Sequence, residues 1–546
     1  MEPTDIQKSI IGHDGNTVVL ASPGSGKTYV ISEMIRRVIR KDETLPYQGV
    51  IAISYTRKAS ANLKSRTLSD GIAQKNSFFG TIDNFCLTQI IEGFGYYVFG
   101  HSQKDLEVIG INDLPKEDIP KYEWIRVDHP DYCDIEQERL SDLADLFVQG
   151  YVLVESLELL AYHIILNCKA CRNYLCARYK CIFIDEYQDA DTYTNSIFLY
   201  IVGLGLTGIA VGDENQSIFG FAHKDSRYIR VLKGHPEFTE FTLKENFRCA
   251  IPIINYSNRL LDADAPLLET DKDGVYLLRI EGAEENIAEF IDKKISMIVK
   301  KWHVSENSKI AILVKNSRTQ TIINDSLVTP HRVVATTKLD EDLNPRSRLF
   351  TLLLRFYFDS SMPFLSVLDE YVDYEVLSHY DKKRLIEESR IIRSIEDGDY
   401  EELPSHFKRI ADIILPKIGD GTSILKLKAV LANENDLNSY KPVNPNEIQL
   451  MTLYKSKGLE FDVVFHLNMA EWELPSKHPV DGDFNRVEYS DWAQDLDLHY
   501  VGITRARKAC ILIRGTQRTN SYGSLSYAKD SEFLGINNLA SLRKER

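Results

Sequence analysis

The sequence predicts an α/β protein of two domains, each built on a parallel sheet and each interrupted by a small helical insertion. Three observations predict it. Apolar runs of strand length ("TVVLAS", "VIAISYT", "CIFIDE", "IAVGDE", "KIAILVKN", "DVVFHLN") alternate with helical stretches, the pattern of parallel sheets with helical crossovers. That rhythm lapses twice into charged, mostly helical sequence, over residues 93–178 and 345–440. The 546 residues also exceed what one domain of about 100–200 residues holds. The expected divisions follow: 1–92 and 179–248 flank the insertion 93–178, and 249–344 and 441–546, with a C-terminal tail, flank the insertion 345–440.

Composition narrows the class. Hydrophobic residues at 43% and charged residues at 27% suit chains that bury cores. The opening "MEPTDIQKSI" lacks the basic start and apolar run of a signal peptide, and no uninterrupted apolar segment approaches the ~18–20 residues of a membrane helix. Eight cysteines in so long a chain do not make a secreted disulfide scaffold. The expectation is a cytoplasmic protein without a membrane partner. Formal charge is −15, from 65 Lys+Arg against 80 Asp+Glu, which disfavours indiscriminate binding to nucleic acid. Local basic stretches such as "TRKASANLKSRT" from Thr56 can still line a groove.

The first chemistry-bearing stretch is "VVLASPGSGKTYVI", a strand, a Gly-rich turn and a helix start. Ala21, Ser22, Pro23, Gly24, Ser25, Gly26, Lys27 and Thr28 would set backbone N–H groups and a helix N-terminus around a polyphosphate. Lys27 can reach the β- and γ-phosphates, and the Thr28 hydroxyl can ligate Mg²⁺. Downstream, "IFIDEYQD" ends a strand in carboxylates. Asp185 can hold the Mg²⁺ water shell, and Glu186 can orient or deprotonate an attacking water. Taken singly, each has a bland alternative, a ligand-free turn or an acidic strand end with capping duties. Together they point to ATP and Mg²⁺.

Just before that strand, Cys168, Cys171, Cys176 and Cys181 invite a metal reading. Only Cys168 and Cys171 form a C-x₂-C pair, whereas zinc or an iron–sulfur cluster needs four convergent ligands. Residues 151–178 read as one helix, on which Cys176 points away from Cys171 at ~100° per residue. Cys181 reads as a buried strand residue, and buried free cysteine is common. The 13 histidines are scattered and form no ligand set.

These motifs have companions through which the chain resembles the UvrD/Rep/PcrA group of superfamily-1 DNA helicases. "DIQKSII" looks like that family's Q motif, which implies that Gln7 reads the adenine edge. "ISYTRKASANLKSR" resembles motif Ia and "GTIDNFC" motif Ib, which implies strand contacts at Tyr55, Arg57 and Thr81. "VGDENQSIFGF" resembles motif III, with Gln216 sensing the γ-phosphate and Phe219 and Phe221 facing bases. "LKENFRC" resembles motif IV, placing Phe247 beside the nucleotide base and Arg248 on the γ-phosphate. "MTLYKSKGLEFDVVF" is similar to motif V, with Glu460 near the ribose and Thr452 and Tyr454 toward the strand. "YVGITRAR" resembles motif VI, making Arg505 an arginine finger from the second domain.

The resemblance implies two RecA-like motor domains. It implies an ATP-dependent helicase that translocates 3′ to 5′ on single-stranded or partially single-stranded DNA. Three departures bear on unwinding: Ala222 follows Phe221 where the family continues with Trp and Arg, Asp83 replaces a motif Ib His, and Leu496 and Asp497 stand where the family has arginines. The insertions are short for the family. The tail from Arg518 carries no nuclease-like carboxylate cluster, so a fused nuclease domain is not expected. A compact chain of this kind is also similar to the helicase-like subunit of Gabija-type antiphage systems. That similarity implies an alternative role, a DNA-sensing ATPase that regulates a partner nuclease.

Overall fold

A computed structural model describes residues 2–41, 44–216, 218, 226–342, 344–368, 371–372, 374, 377–416, 418–481, 483–520 and 523–545, apart from the side chains of residues 57, 58, 70, 484 and 485. Its first sheet gathers β1 (Thr17–Ala21), β2 (Gly49–Ile53) and β3 (Phe78–Gly80). β4 (Glu107–Ile109) and β5 (Tyr151–Leu153) pair apart from it as a two-stranded parallel ladder. The sheet is completed by β6 (Tyr179–Ile184), β7 (Thr207–Gly212) and β8 (Thr239–Leu243). Its order is β3-β2-β6-β7-β1-β8, and every pairing is parallel.

The second sheet uses β9 (Val275–Ile280), β10 (Ile310–Val314), β11 (His331–Val333), β12 (Ile448–Thr452) and β13 (Phe461–His466). A hairpin of β14 (Lys477–Val480) and β15 (Asp483–Tyr489) precedes β16 (Ala506–Gly515). A second hairpin, β17 (Gln517–Thr519) and β18 (Leu525–Tyr527), precedes β19 (Lys544–Glu545). The order is β11-β12-β10-β13-β16-β9-β19, again with parallel pairings throughout. The fold is therefore α/β with two parallel sheets, consistent with two RecA-like domains.

Both sheets are covered on both faces, which is why their strands read as continuous apolar runs. On β1, Val18 and Leu20 enter one core while Val19 and Ala21 enter the opposite one. On β10, Ala311 and Leu313 face one layer while Ile310, Ile312 and Val314 face the other. The helix Lys27–Arg40 shows the same logic at helical spacing, burying Val30, Ile31, Met34, Ile35 and Ile39.

Between β3 and β6 the chain is largely helical, as it is between β11 and β12. The segment read as one helix over 151–178 is more articulated. Tyr151–Leu153 is drawn into a strand by β4, and the helices Leu157–Asn167 and Lys169–Arg178 meet at Cys168, whose φ of −111° and ψ of 104° break the helical path. The two helical regions share one hydrophobic core, in which Leu143, Phe147 and Leu153 join Phe350, Leu385 and Phe407. A parallel bridge pairs Leu106 with Ile418, and the Gly419 N–H donates to the Leu106 carbonyl at 3.0 Å. Among the described residues no helix is long and apolar enough to cross a membrane.

Candidate active site

The loop between β1 and the helix Lys27–Arg40 is a turn that its two glycines permit. Ala21 ends β1, and the Ser22 N–H donates to the Leu243 carbonyl at 3.1 Å, tying the loop to β8. Gly24 and Gly26 sit at φ +72° and +87°, in the left-handed region. A Cβ on Gly26 would lie 2.8 Å from Gln7 Nε2, and one on Gly24 would lie 2.6 Å from the Arg248 Cβ. Gln7 closes a capping box with Thr4 and donates from Nε2 to the Ser25 carbonyl at 3.1 Å. In this structure its amide buttresses the loop. The Ser25 hydroxyl is buried and has no partner among the described residues. An open backbone cradle with an unused buried hydroxyl suits a polyphosphate.

The carboxylates arrive from β6, which lies one strand beyond β1's neighbour β7 in the sheet. Asp185 follows β6 and is fixed by its N–H to the Ile53 carbonyl at 2.9 Å. Glu186 occupies φ 57°, ψ 41°, a conformation that costs energy for a non-glycine residue and marks a special position. Its Oε2 lies 3.4 Å from Lys27 Nζ. Burial and the neighbouring Glu186 charge push the Asp185 carboxyl up. Burial also works against the Glu186 charge, but Lys27 and Lys457 outweigh it and hold that carboxyl down. Glu186 is thus ionised and able to accept a proton. Thr28 and Asp185 line the same cleft and offer the hard oxygen donors that Mg²⁺ prefers.

The second sheet supplies the opposite wall. Arg505 ends the helix Trp492–Thr504 and is only 2% exposed. Its guanidinium donates to the carbonyls of Val501 at 3.1 Å and Leu459 at 3.3 Å, and across the cleft to Gln216 Oε1 at 3.3 Å. Gln216 in turn donates to Asp213 Oδ2 at 2.6 Å. Arg248 is held by Glu460 at 2.8 Å, and Phe247, 46% exposed, stands at the mouth with its N–H on the Gly24 carbonyl at 2.9 Å. A cleft of about 880 Å³ brings together Gly24, Gly26, Lys27, Thr28, Asp185, Glu186, Gln216, Phe247, Arg248, Glu460 and Arg505. Gln7 lies immediately behind the loop, with its Nε2 on the Ser25 carbonyl.

Sequence reasoning passed over two connectors that the geometry makes prominent. Gln188, fully buried, donates to Glu186 Oε2 at 2.6 Å and accepts the Asp213 N–H at 2.9 Å. Lys457 crosses from the second half to Asp189 Oδ2 at 2.5 Å and the Gln216 carbonyl at 2.6 Å. They stand inside "IFIDEYQD" and "MTLYKSKGLEF". Their only signal was polarity next to motif residues.

The candidate strand contacts cluster at C-terminal strand ends, where open parallel sheets place ligands. Tyr55 lies just beyond β2, Thr81 beyond β3, Thr452 ends β12 and Tyr454 follows it. Tyr55 is half-buried, and burial with the nearby Asp191 and Glu158 carboxylates holds its hydroxyl protonated. Thr81 accepts from the Asn84 N–H at 3.3 Å as a helix cap. Phe219, Phe221 and Ala222, and the side chain of Arg57, lie outside the described residues. Of the departures, Asp83 pairs with Arg348 at 3.6 Å, and burial and Asp213 push the half-buried Asp497 carboxyl up to about 8. The cysteines divide between environments: Cys168, Cys171 and Cys181 are buried, and Cys176 is exposed.

Comparison with known proteins finds matches in both halves of the chain. A family model described as an AAA domain matches residues 7–222, and one described as a UvrD-like helicase C-terminal domain matches residues 370–517. The Gabija protein GajB of Bacillus cereus is 24% identical over 532 residues, covering 94% of this chain and 96% of the relative. A probable DNA helicase II homolog of Rickettsia conorii is 22% identical over 614 residues, covering 94% and 93%. DNA helicase II of Escherichia coli is 21% identical over 639 residues, covering 97% and 86%.

Proposed function

We propose that this chain, a UvrD-like protein of the superfamily-1 helicase group, is an ATP- and Mg²⁺-dependent motor on single-stranded DNA, moving 3′ to 5′. One observation carries the reading: groups from both sheets converge on one cleft, with Arg505 of the second hydrogen-bonded to Gln216 of the first. A site assembled from two halves can couple hydrolysis to their relative motion.

In this reading Lys27 and the loop N–H groups bind the phosphates, and Thr28 and Asp185 hold Mg²⁺. The cation supplies charge neutralisation and orientation of the phosphate oxygens. Glu186 accepts a proton from the attacking water, while Gln216, Arg248 and Arg505 stabilise charge at the γ-phosphate. Phe247 and Glu460 flank the base and ribose. Tyr55, Arg57, Thr81, Thr452, Tyr454, Phe219 and Phe221 contact the strand, the aromatics by stacking without sequence preference.

A second reading is favoured by GajB, which matches nearly end to end. There the ATPase responds to DNA and regulates a partner nuclease, and unwinding by the isolated chain is weak. Asp83, Ala222 and Asp497 support that arm, because each removes a positive or donor group along the strand path. Strand displacement per ATP hydrolysed, measured alone and with proteins co-purified from the native host, separates the two. Efficient unwinding of long duplex by the isolated chain selects the ordinary helicase.

A further inference from the structure

We propose that Gln188 is a positioning residue that couples the water-activating carboxylate Glu186 to the cross-cleft arginine, Arg505. The proposal rests on the ATPase reading above. The Asp213 N–H can only donate, so the Gln188 atom it meets at 2.9 Å is the amide oxygen Oε1. The Gln188 NH₂ group is then committed to Glu186 Oε2 at 2.6 Å, and the amide has no freedom to flip.

The same reasoning fixes the next amide. Gln216 Nε2 donates to Asp213 Oδ2 at 2.6 Å, and its Oε1 accepts from Arg505 Nη2 at 3.3 Å. A directed series therefore runs from Arg505 through Gln216, Asp213 and Gln188 to Glu186. Every polarity along it is determined, because each amide has one face bound to a group of fixed character.

The surroundings are built for this bridge. Gln188 is fully buried, and Asp213 and Gln216 are 4% and 3% exposed. A Cβ on Gly212 would collide with the Gln188 amide oxygen, so the glycine leaves the room that the amide fills. Glu186 is already in the left-handed region, a strained backbone conformation that the surrounding contacts must hold. Lys457 adds a hold from the second half on the Gln216 carbonyl at 2.6 Å. When the halves separate, Arg505 and Lys457 leave Gln216 together, and the series that orients Glu186 loses its far anchor. Water activation is thereby tied to closure.

The test compares steady-state ATP hydrolysis by the full chain with saturating oligo(dT). Gln188→Met keeps length and volume but cannot bridge. It should lower kcat about 30- to 100-fold, at or below the low end of the roughly 10²–10⁴-fold that general-base catalysis supplies, as fits a misplaced and not a deleted base, and leave the KM for ATP within about threefold. Gln216→Met should also lower kcat, and the Gln188→Met/Gln216→Met double variant should fall well short of the product of the two losses, as residues of one series do. If Gln188→Met does not fold, as judged by its thermal melt, Gln188→Asn is read instead. It is one methylene too short to span both partners and should give the same split. A kcat within twofold of wild type, a loss confined to KM, or multiplicative losses would overturn the coupling. Absence of ATP turnover in the wild-type chain would overturn the ATPase reading and the coupling together. Wild-type turnover that Glu186→Gln abolishes and Gln188→Met spares would overturn the coupling alone.

Discussion

Replacing Arg505 with alanine should separate binding of ATP from its hydrolysis. In the structure the guanidinium is held mainly by its own half, through the carbonyls of Val501 and Leu459, and among the described residues it hydrogen-bonds the first half at Gln216. The phosphate loop and Lys27 belong wholly to the first half, so ATP affinity should change by no more than about threefold. Turnover should fall by roughly 10³-fold or more, the scale of a lost arginine finger, which is about 4 kcal/mol of transition-state stabilisation. Removing a buried, hydrogen-bonded side chain also strands acceptors, at a stability cost of about 1–3 kcal/mol. A thermal melt must therefore accompany the assay. Arg505→Lys keeps a charge but not the planar fork and should recover turnover only in part. The assay is steady-state hydrolysis beside equilibrium binding of a fluorescent ATP analogue. Equal losses of affinity and turnover would make Arg505 a ground-state contact and refute the reasoning.

Other expectations follow from particular residues. Cys168→Ser/Cys171→Ser should leave ATP hydrolysis intact, and elemental analysis of anaerobically purified protein should show no stoichiometric zinc or iron; one tightly held metal per chain would reverse that reading. His466 and His499 are both fully buried, with ring nitrogens 3.0 Å apart, and burial pushes His466 down to about 4 and His499 down as well. Both are neutral in the fold, so their contribution is intact above the unfolded pKa of about 6.5 and is lost as pH falls toward 4, by about 3 kcal/mol for His466. Melting temperature should drop across that window, and His499→Phe should flatten the drop. Phe221→Ala should weaken binding to oligo(dT) by about 1–3 kcal/mol, the scale of one base–aromatic stack, and reduce stimulation of ATP hydrolysis; unchanged affinity would remove Phe221 from the strand path.

Where local chemistry decides structure, the sequence was readable. Gly24 and Gly26 announce a turn that needs positive φ, and the apolar runs at β1, β6 and β10 announce strands buried on both faces. Parts set by distant partners were not. β5 is a strand only because β4 lies beside it, so residues 151–178 read as one helix when they are a strand, a 3₁₀ turn and two α-helices. The contact of Lys457 with Asp189 spans 268 positions, and nothing local to either residue signals it. Gln188 carries no signal of its own inside "IFIDEYQD", because an amide declares its role only when both of its partners are visible.

The most direct test of the two-sided ATPase cleft is hydrolysis by Glu186→Gln beside Lys27→Ala and the wild-type chain, with and without oligo(dT). Glu186→Gln removes the proton acceptor and leaves the phosphate cradle, so it should bind ATP as wild type does and turn over at least about 10²-fold more slowly. Lys27→Ala should lose ATP binding as well as turnover, since its charge meets the phosphates in the ground state. Wild-type hydrolysis should rise with oligo(dT). Normal turnover by Glu186→Gln would contradict the account, whatever the DNA does.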